Sequence, residues 1–503
     1  MISKVLSAAA IGYSGELIEV EGDSSQGLPS LQIVGMGNKA IDESKERVRS
    51  AIKNSGLDFP KKKITINLAP AEIPKDGTSF DLPIAISILA ISGQLRPKDI
   101  NHRAFTGELS LSGDLRPIKG IINIVEKLKN SGVKEVFIPE KNYNQATLID
   151  DITIIPANNL RDIFLHLKNE KTIIIPQSKR VMIDDAKEIS LDDIVGQEQA
   201  KRALTIAIAG RHNILLAGPP GTGKTMLAKA ALNLLPSLTK NELLEVSKIH
   251  GLIEDIDINN IKRPFRAPHH TASKTSIVGG GPKAMPGEIS LAHMGILFLD
   301  EIPEYQKTTL EVLRQPLEDK KVTISRTKYR SVYPADFMLV ATMNPCPCGF
   351  YGDQTKQCTC TALQILNYQR KISGPLLDRI DMVINVNRID NERLLAQSNK
   401  NNNESINTIK KIKLSSKIQQ KRYDSCIKYN GSVNMKDVKS VFMLDDVAKK
   451  LLDTATSKLD ISARSYLKIL KVARTIADLD NSKTIKTSHI SEALQYRYRQ
   501  ETL

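Results

Sequence analysis

Gly218-Pro219-Pro220-Gly221-Thr222-Gly223-Lys224-Thr225 stands between an apolar run, Ile214-Leu215-Leu216-Ala217, and the segment Met226-Leu227-Ala228-Lys229-Ala230-Ala231-Leu232. The first flank reads as a buried strand and the second as a helix. That context turns the pattern G-x-x-x-x-G-K-[ST] into a phosphate-binding loop. Glycines let backbone N–H groups approach phosphate oxygens, and the helix N-terminus adds partial positive charge. Lys224 is placed to reach the β- and γ-phosphates of ATP, and Thr225 to ligate Mg²⁺. The bland alternative, a glycine-rich turn that holds nothing, is disfavoured by the two matching flanks.

Downstream, Gly295-Ile296-Leu297-Phe298-Leu299-Asp300-Glu301 has four apolar residues in a row, as expected of a parallel strand covered on both faces. Its carboxylates would enter the crevice at the strand's C-terminal end. Asp300 suits Mg²⁺, held through water, and Glu301 suits polarising an attacking water. Phe337-Met338-Leu339-Val340-Ala341-Thr342-Met343-Asn344 is a second apolar strand that ends in a polar residue. Between them, Val322 to Val332 reads as a β-hairpin with a basic tip, where Arg326, Lys328, Tyr329 and Arg330 could contact phosphates and stack on bases. An exposed turn of ordinary charge would look the same. His269 and His270 are adjacent and read as a structural or pore-loop pair rather than as metal ligands. Cys346-Pro347-Cys348 and Cys358-Thr359-Cys360 are two C-x-C pairs around a nine-residue loop. They fit either a tetrahedral Zn²⁺ site or reduced free thiols. Cys426 stands alone.

Several of these segments resemble parts of AAA+ ATPases. Asp193-Ile194-Val195-Gly196-Gln197, ahead of an amphipathic helix expected over Ala200 to Ala209, resembles the adenine-side entry. Asn344 fits the sensor-1 position. Gly374-Pro375-Leu376-Leu377-Asp378-Arg379-Ile380-Asp381 resembles the segment that supplies an arginine finger to a neighbouring subunit. Arg379 is then the finger, with a salt-bridge role beside Asp378 or Asp381 as the alternative and Arg314 and Arg326 as rival candidates.

In the first third, Ile64 to Leu68 alternates as a strand, Asp81 to Leu95 reads as a buried helix, and Phe105 to Leu111 and Val136 to Ile138 read as strands. Lys75-Asp76-Gly77-Thr78-Ser79-Phe80-Asp81, Thr106 to Gly113 and Pro117-Ile118-Lys119-Gly120 resemble the peptidase-like domain of Lon proteases, a ribosomal-protein-type α/β fold. Ser79 falls where the Lon serine sits. The position of its lysine partner is Ile122, which cannot deprotonate a hydroxyl, so a non-proteolytic relative is expected.

The chain has 503 residues, 41% of them hydrophobic, enough for two or three domains. No apolar run approaches the ~20 residues that span a bilayer. The N-terminus does not read as a signal peptide. Five cysteines, four of them bunched, suit a reducing cytoplasm, and no membrane partner is expected. Net charge is +15, and residues 386–503 carry 23 Lys+Arg against 13 Asp+Glu. Such a local excess fits a polyanion such as DNA, or else a solvated lysine-rich helical surface. The run Asn399 to Tyr423 reads as a helical linker or loose insert. Asp445 to Leu459 and Ala463 to Ala477 have 3.6-residue apolar spacing, and Thr487 is a candidate cap for a last helix.

Taken together with Phe265-Arg266-Ala267-Pro268-His269-His270, Gly279 to Glu288 and Asn344-Pro345-Cys346-Pro347-Cys348-Gly349, these motifs resemble the magnesium-chelatase-like branch of AAA+ ATPases, and more closely the ComM/YifB family, nearly end to end. The resemblance implies a ring, expected to be a hexamer, that hydrolyses ATP with Mg²⁺ and branch-migrates DNA during recombination of transforming DNA. It assigns Arg464, which follows Ser462-Ala463, to the sensor-2 position. The expected architecture is α/β: a Lon-like N-terminal domain over 1–172, a linker over 173–190 and an AAA+ P-loop core over 191–388. A polar insert over 389–430 and a small α-helical C-terminal lid over 431–503 complete it. The competing function is a magnesium-chelatase-like remodelling subunit that acts on a protein partner. DNA, branched or single-stranded, is the partner of the first reading.

Overall fold

The computed structural model describes residues 2–35, 38–73, 75, 77–176, 189–281, 284–325, 330–353, 356–388, 404–425, 428–434, 437–438 and 441–498. It divides into two compact units. One comprises residues 1–184, 239–261 and 282–285, and the other residues 185–238, 262–281 and 286–503.

The first unit is built on a seven-stranded mixed sheet. Its order is Ser30–Val34, Lys63–Ala69, Glu16–Ser25, Ile2–Ala9, Arg103–Phe105, Glu135–Pro139, Thr153–Ala157. Lys63–Ala69 alternates strictly, with Ile64, Ile66 and Leu68 turned inward, as period-2 geometry requires. The helix expected from Asp81 runs over Asp81–Ile91, and every residue in it is buried. A helix apolar on all faces must be covered on all faces. Its end comes early because Ser92 is the C-cap and Gly93 takes φ +79°. The strand expected over 105–111 is broken into Arg103–Phe105 and Glu108–Leu109. Gly107 lies at the break, its N–H donated to the Ser79 carbonyl at 3.0 Å instead of to a sheet neighbour.

The second unit carries a five-stranded, all-parallel sheet in the order Phe265–Arg266, Ile296–Leu299, Met338–Met343, Ile214–Ala217, Met382–Asn385. The three central strands are buried at every position, which explains their unbroken apolar sequences. Lys224–Leu234 follows the phosphate-loop strand. Glu198–Gly210 forms where a helix is expected, but it is buried along nearly its whole length rather than amphipathic. A second helix, Glu404–Tyr423, covers it: Gln419 donates to the Ala209 carbonyl at 2.9 Å and Lys201 pairs with Glu404 at 2.8 Å. The 404–423 stretch is therefore a packed helix and not a loose insert. Its inward face uses Ser415, Ser416 and Gln419 beside Ile412, so apolar periodicity could not reveal it.

Asp446–Lys458, Ala463–Leu479 and Thr487–Gln495 complete the unit. Thr487 is the first helical residue and Lys486 the cap, one position from the expected arrangement. Ile469, Leu470, Val472, Ala473 and Ile476 share one hydrophobic cluster with Ala203, Ile206 and Ile214. Among the described residues no helix is long and apolar enough to cross a membrane.

Candidate nucleotide site

The sheet order explains the site. One strand, Met338–Met343, lies between the phosphate-loop strand and the strand that ends at Asp300. Whatever follows Met343 must therefore sit between Lys224 and the carboxylates, and that residue is Asn344. Its side-chain oxygen accepts from Lys224 Nζ at 3.2 Å, and its amide nitrogen donates to Glu301 Oε1 at 3.2 Å. Phosphate-loop lysine, sensor-position asparagine and candidate water-activating carboxylate thus form one chain.

Gly223 takes φ +84° directly ahead of helix Lys224–Leu234, a conformation that side chains rarely adopt. Lys224 is 8% exposed and also donates to the carbonyls of Gly218 and Pro219 at 2.7 and 2.8 Å. Burial lowers its pKa to about 8, against the upward pull of Asp300 and Glu301. Thr225 Oγ1 donates to Asp300 Oδ2 at 3.4 Å. A hydroxyl beside a carboxylate is an oxygen donor set suited to Mg²⁺. A buried ammonium at a helix N-terminus suits polyphosphate. The residues present fit ATP and Mg²⁺.

Thr342 carries a role that the strand pattern hid. Its Oγ1 donates to Asp300 Oδ1 at 2.5 Å and accepts from the Glu301 N–H at 2.9 Å. Glu301 sits at φ +49°, a left-handed conformation that costs a non-glycine residue about 1–3 kcal/mol, and Thr342 helps to hold it there. The one available signal was a lone hydroxyl in an otherwise apolar strand.

Arg379 and Arg464 are not bonded to this cluster. Both meet Glu318: Arg379 forms a close ion pair with it, and Arg464 lies 3.7 Å from the same oxygen. Arg379 also donates to the Pro375 carbonyl at 2.7 Å. One turn beyond Arg464, Lys468 donates to the Ile380 carbonyl at 2.8 Å, which ties helix Ala463–Leu479 to the Arg379 segment. Nothing local in sequence pointed to Glu318. Arg314 instead pairs with Glu311 at 2.6 Å.

The expected hairpin is present as Lys321–Ser325 paired antiparallel with Arg330–Pro334. Arg330 is exposed opposite Ser325, whereas Arg326, Lys328 and Tyr329 lie outside the described residues. The His269 and His270 rings lie with centroids 4.1 Å apart, tilted by 34°, and Tyr305 donates to the Pro268 carbonyl at 2.5 Å. Cys346, Cys348, Cys358 and Cys360 converge, with their sulfurs all within 4.8 Å of one another. Cys426 lies outside the described residues.

In the first unit Ile122 is 2% exposed, in helix Ile121–Asn130. Ser79 is half-buried and Asp81 fully buried.

Parallel sheet, phosphate loop and carboxylate strand define a P-loop protein with an AAA+ domain of the magnesium-chelatase type. Residues 190–394 match the family described as "Magnesium chelatase, subunit ChlI", residues 20–142 "Subunit ChlI of Mg-chelatase", and residues 402–497 the corresponding C-terminal family. The chain is 41% identical to "Competence protein ComM" of Haemophilus influenzae over 500 residues, 98% of this chain and 97% of that protein. It is 40% identical to the "Uncharacterized protein YifB" of Escherichia coli, over 99% of this chain and 97% of that one. A Lon protease of Mycolicibacterium smegmatis is 27% identical over 167 residues, 31% of this chain and 21% of that protein. The chain belongs to the ComM/YifB family of magnesium-chelatase-like AAA+ proteins.

Proposed function

We propose that the chain is an ATP-driven DNA motor that branch-migrates DNA in recombination of transforming DNA, working as a hexameric ring. The Lys224–Asn344–Glu301 chain of hydrogen bonds carries the ATPase half of this reading. Lys224 and the loop backbone bind the β- and γ-phosphates. Thr225 and Asp300 hold Mg²⁺, which neutralises phosphate charge. Glu301 polarises the attacking water, and Asn344 keeps its carboxylate aligned with the phosphate-binding lysine. Arg379 acts in trans as the arginine finger and Arg464 as sensor 2. Both share Glu318 within the chain, so for either role the guanidinium would exchange that carboxylate for a phosphate oxygen.

The DNA half rests on the full-length likeness to a protein named for competence and on the basic C-terminal quarter. The basic hairpin, whose second strand opens at Arg330, is the proposed DNA contact. The N-terminal region is proposed as a Lon-like but non-proteolytic domain over 1–172, since Ile122 stands where a base is needed. The other proposed boundaries are a linker over 173–190, the core over 191–388, a polar linker over 389–430 that contains the packed helix Glu404–Tyr423, and a helical lid over 431–503. Three matches to magnesium-chelatase descriptions favour the second reading, remodelling of a protein partner.

Branch migration of a synthetic Holliday junction, with ATP hydrolysis recorded alongside, separates the two. Junction movement that is lost in Lys224→Ala and in Glu301→Gln is the expected result. Hydrolysis indifferent to DNA, with no junction movement, would overturn the motor and leave the remodelling reading.

A further inference from the structure

Four sulfurs from two C-x-C pairs meet at one point. Cys346 Sγ lies 3.3 Å from Cys348 Sγ and 3.7 Å from Cys358 Sγ, and Cys348 and Cys358 are 3.6 Å apart. All four, Cys360 included, lie within 4.8 Å of one another. A disulfide needs ~2.05 Å, so these are not bonded pairs. A tetrahedron with metal–sulfur bonds of ~2.3 Å has sulfur–sulfur edges of ~3.8 Å, close to the separations observed. Backbone N–H groups point at the sulfurs: Tyr351 N to Cys346 at 3.3 Å and Cys360 N to Cys358 at 3.4 Å. Such donors stabilise thiolate charge and orient metal ligands. Four thiolates around one centre suit a single tetrahedral ion such as Zn²⁺, whereas a multi-iron cluster spreads its thiolates over several irons and sets them further apart.

The loop that these cysteines close abuts the nucleotide site. Cys346 follows Asn344 by two residues. Gly349, at φ +85°, comes so near the phosphate loop that a Cβ there would lie 2.7 Å from Pro220 Cδ. Gln369 donates to the Pro345 carbonyl at 3.2 Å, and Asp353 pairs with Arg388 at 3.2 Å, so the loop is fastened on both sides.

We propose that Cys346, Cys348, Cys358 and Cys360 bind one Zn²⁺, and that the zinc-closed loop holds Pro220 and Asn344 in the geometry that nucleotide binding needs. The second clause rests on the nucleotide-site reading above; the first does not. The full-length chain should purify with one zinc per chain. A mercurial that titrates the thiols should release it, and Co²⁺ in its place should give thiolate-to-cobalt charge-transfer absorption with tetrahedral d–d bands. Cys358→Ser and Cys360→Ser should lose the metal and bind a fluorescent ATP analogue about tenfold more weakly, as expected of a site loosened by a fraction of an ångström. Because the variants could misfold, wild-type chain stripped by a chelator and then reloaded with zinc provides the same comparison without substitution. Absence of metal after incubation with zinc under reducing conditions, with no cobalt spectrum, overturns the site, and so does iron in its place. Stoichiometric zinc whose removal leaves nucleotide affinity unchanged overturns the coupling. A zinc-loaded chain that binds no nucleotide at all would instead break the nucleotide-site reading.

Discussion

Two buried lysines sit in two glycine-containing motifs, and only one of them has the surroundings of a reactive site. Lys75 opens the Lys75–Asp81 motif, is 1% exposed, and donates to the Pro70 carbonyl. Lys224 is also buried and also donates to backbone carbonyls. Burial pushes both below the ordinary lysine pKa. At Lys224, Asn344, Asp300 and Glu301 converge from two neighbouring strands. Near Lys75, the motif's acid is turned inward: Asp81 accepts from Ser44 and Arg47, each at 2.8 Å, and so ties the flanking helix to its own. Ile122 is packed into the core of the same unit. Burial perturbs a lysine in either place. Chemistry requires other groups to arrive from elsewhere in the chain.

Substituting the two lysines alike should expose the difference most strongly. Lys224→Met should weaken ATP binding by about 10²-fold, the worth of charge-assisted phosphate contacts. Glu301→Gln should keep binding and slow turnover by about 10²–10³-fold, read by single-turnover hydrolysis. Normal turnover in Glu301→Gln would remove that residue from the chemistry.

The structural assignment of Asp81 predicts a stability effect. Asp81→Ala removes the close partner of the Arg47 guanidinium, leaving Glu43 at 3.7 Å, and should cost about 2 kcal/mol, seen as a lower urea midpoint. An unchanged midpoint would mean that the buried pair does not hold the helices together.

A smaller effect should appear with pH. The phosphate-binding form of Lys224 is the ammonium, and burial brings its loss down to about pH 8. Affinity for an ATP analogue should therefore fall as pH rises from 7 to 9, by up to about tenfold, with proton uptake on binding above pH 8. A flat profile would place the lysine's titration elsewhere.

Lys75→Met and Ser79→Ala should do least. Each should shift stability by about 1 kcal/mol or less: an apolar chain at 75 removes the cost of burying an ammonium, and Ser79 gives up only a half-buried hydroxyl. Neither the wild type nor Ser79→Ala should cleave a fluorogenic peptide. Cleavage that Ser79→Ala abolishes would erase the contrast between the two motifs.

The phosphate loop, the carboxylate strand and the Asn344 strand were legible in the sequence, because each is local: an apolar run of strand length followed at once by the polar group it presents. The sequence also placed the all-buried Asp81 helix, whose composition leaves no face for water. Which strand separates Lys224 from Glu301, that Thr342 braces the carboxylates, and that Arg379 and Arg464 meet on Glu318 emerge only from the folded arrangement. The packing of Glu404–Tyr423 and the convergence of the four thiols belong there too. Each of these depends on residues brought together by strand order and helix packing. Spacing along a chain encodes the period of an element, but not which other element it meets.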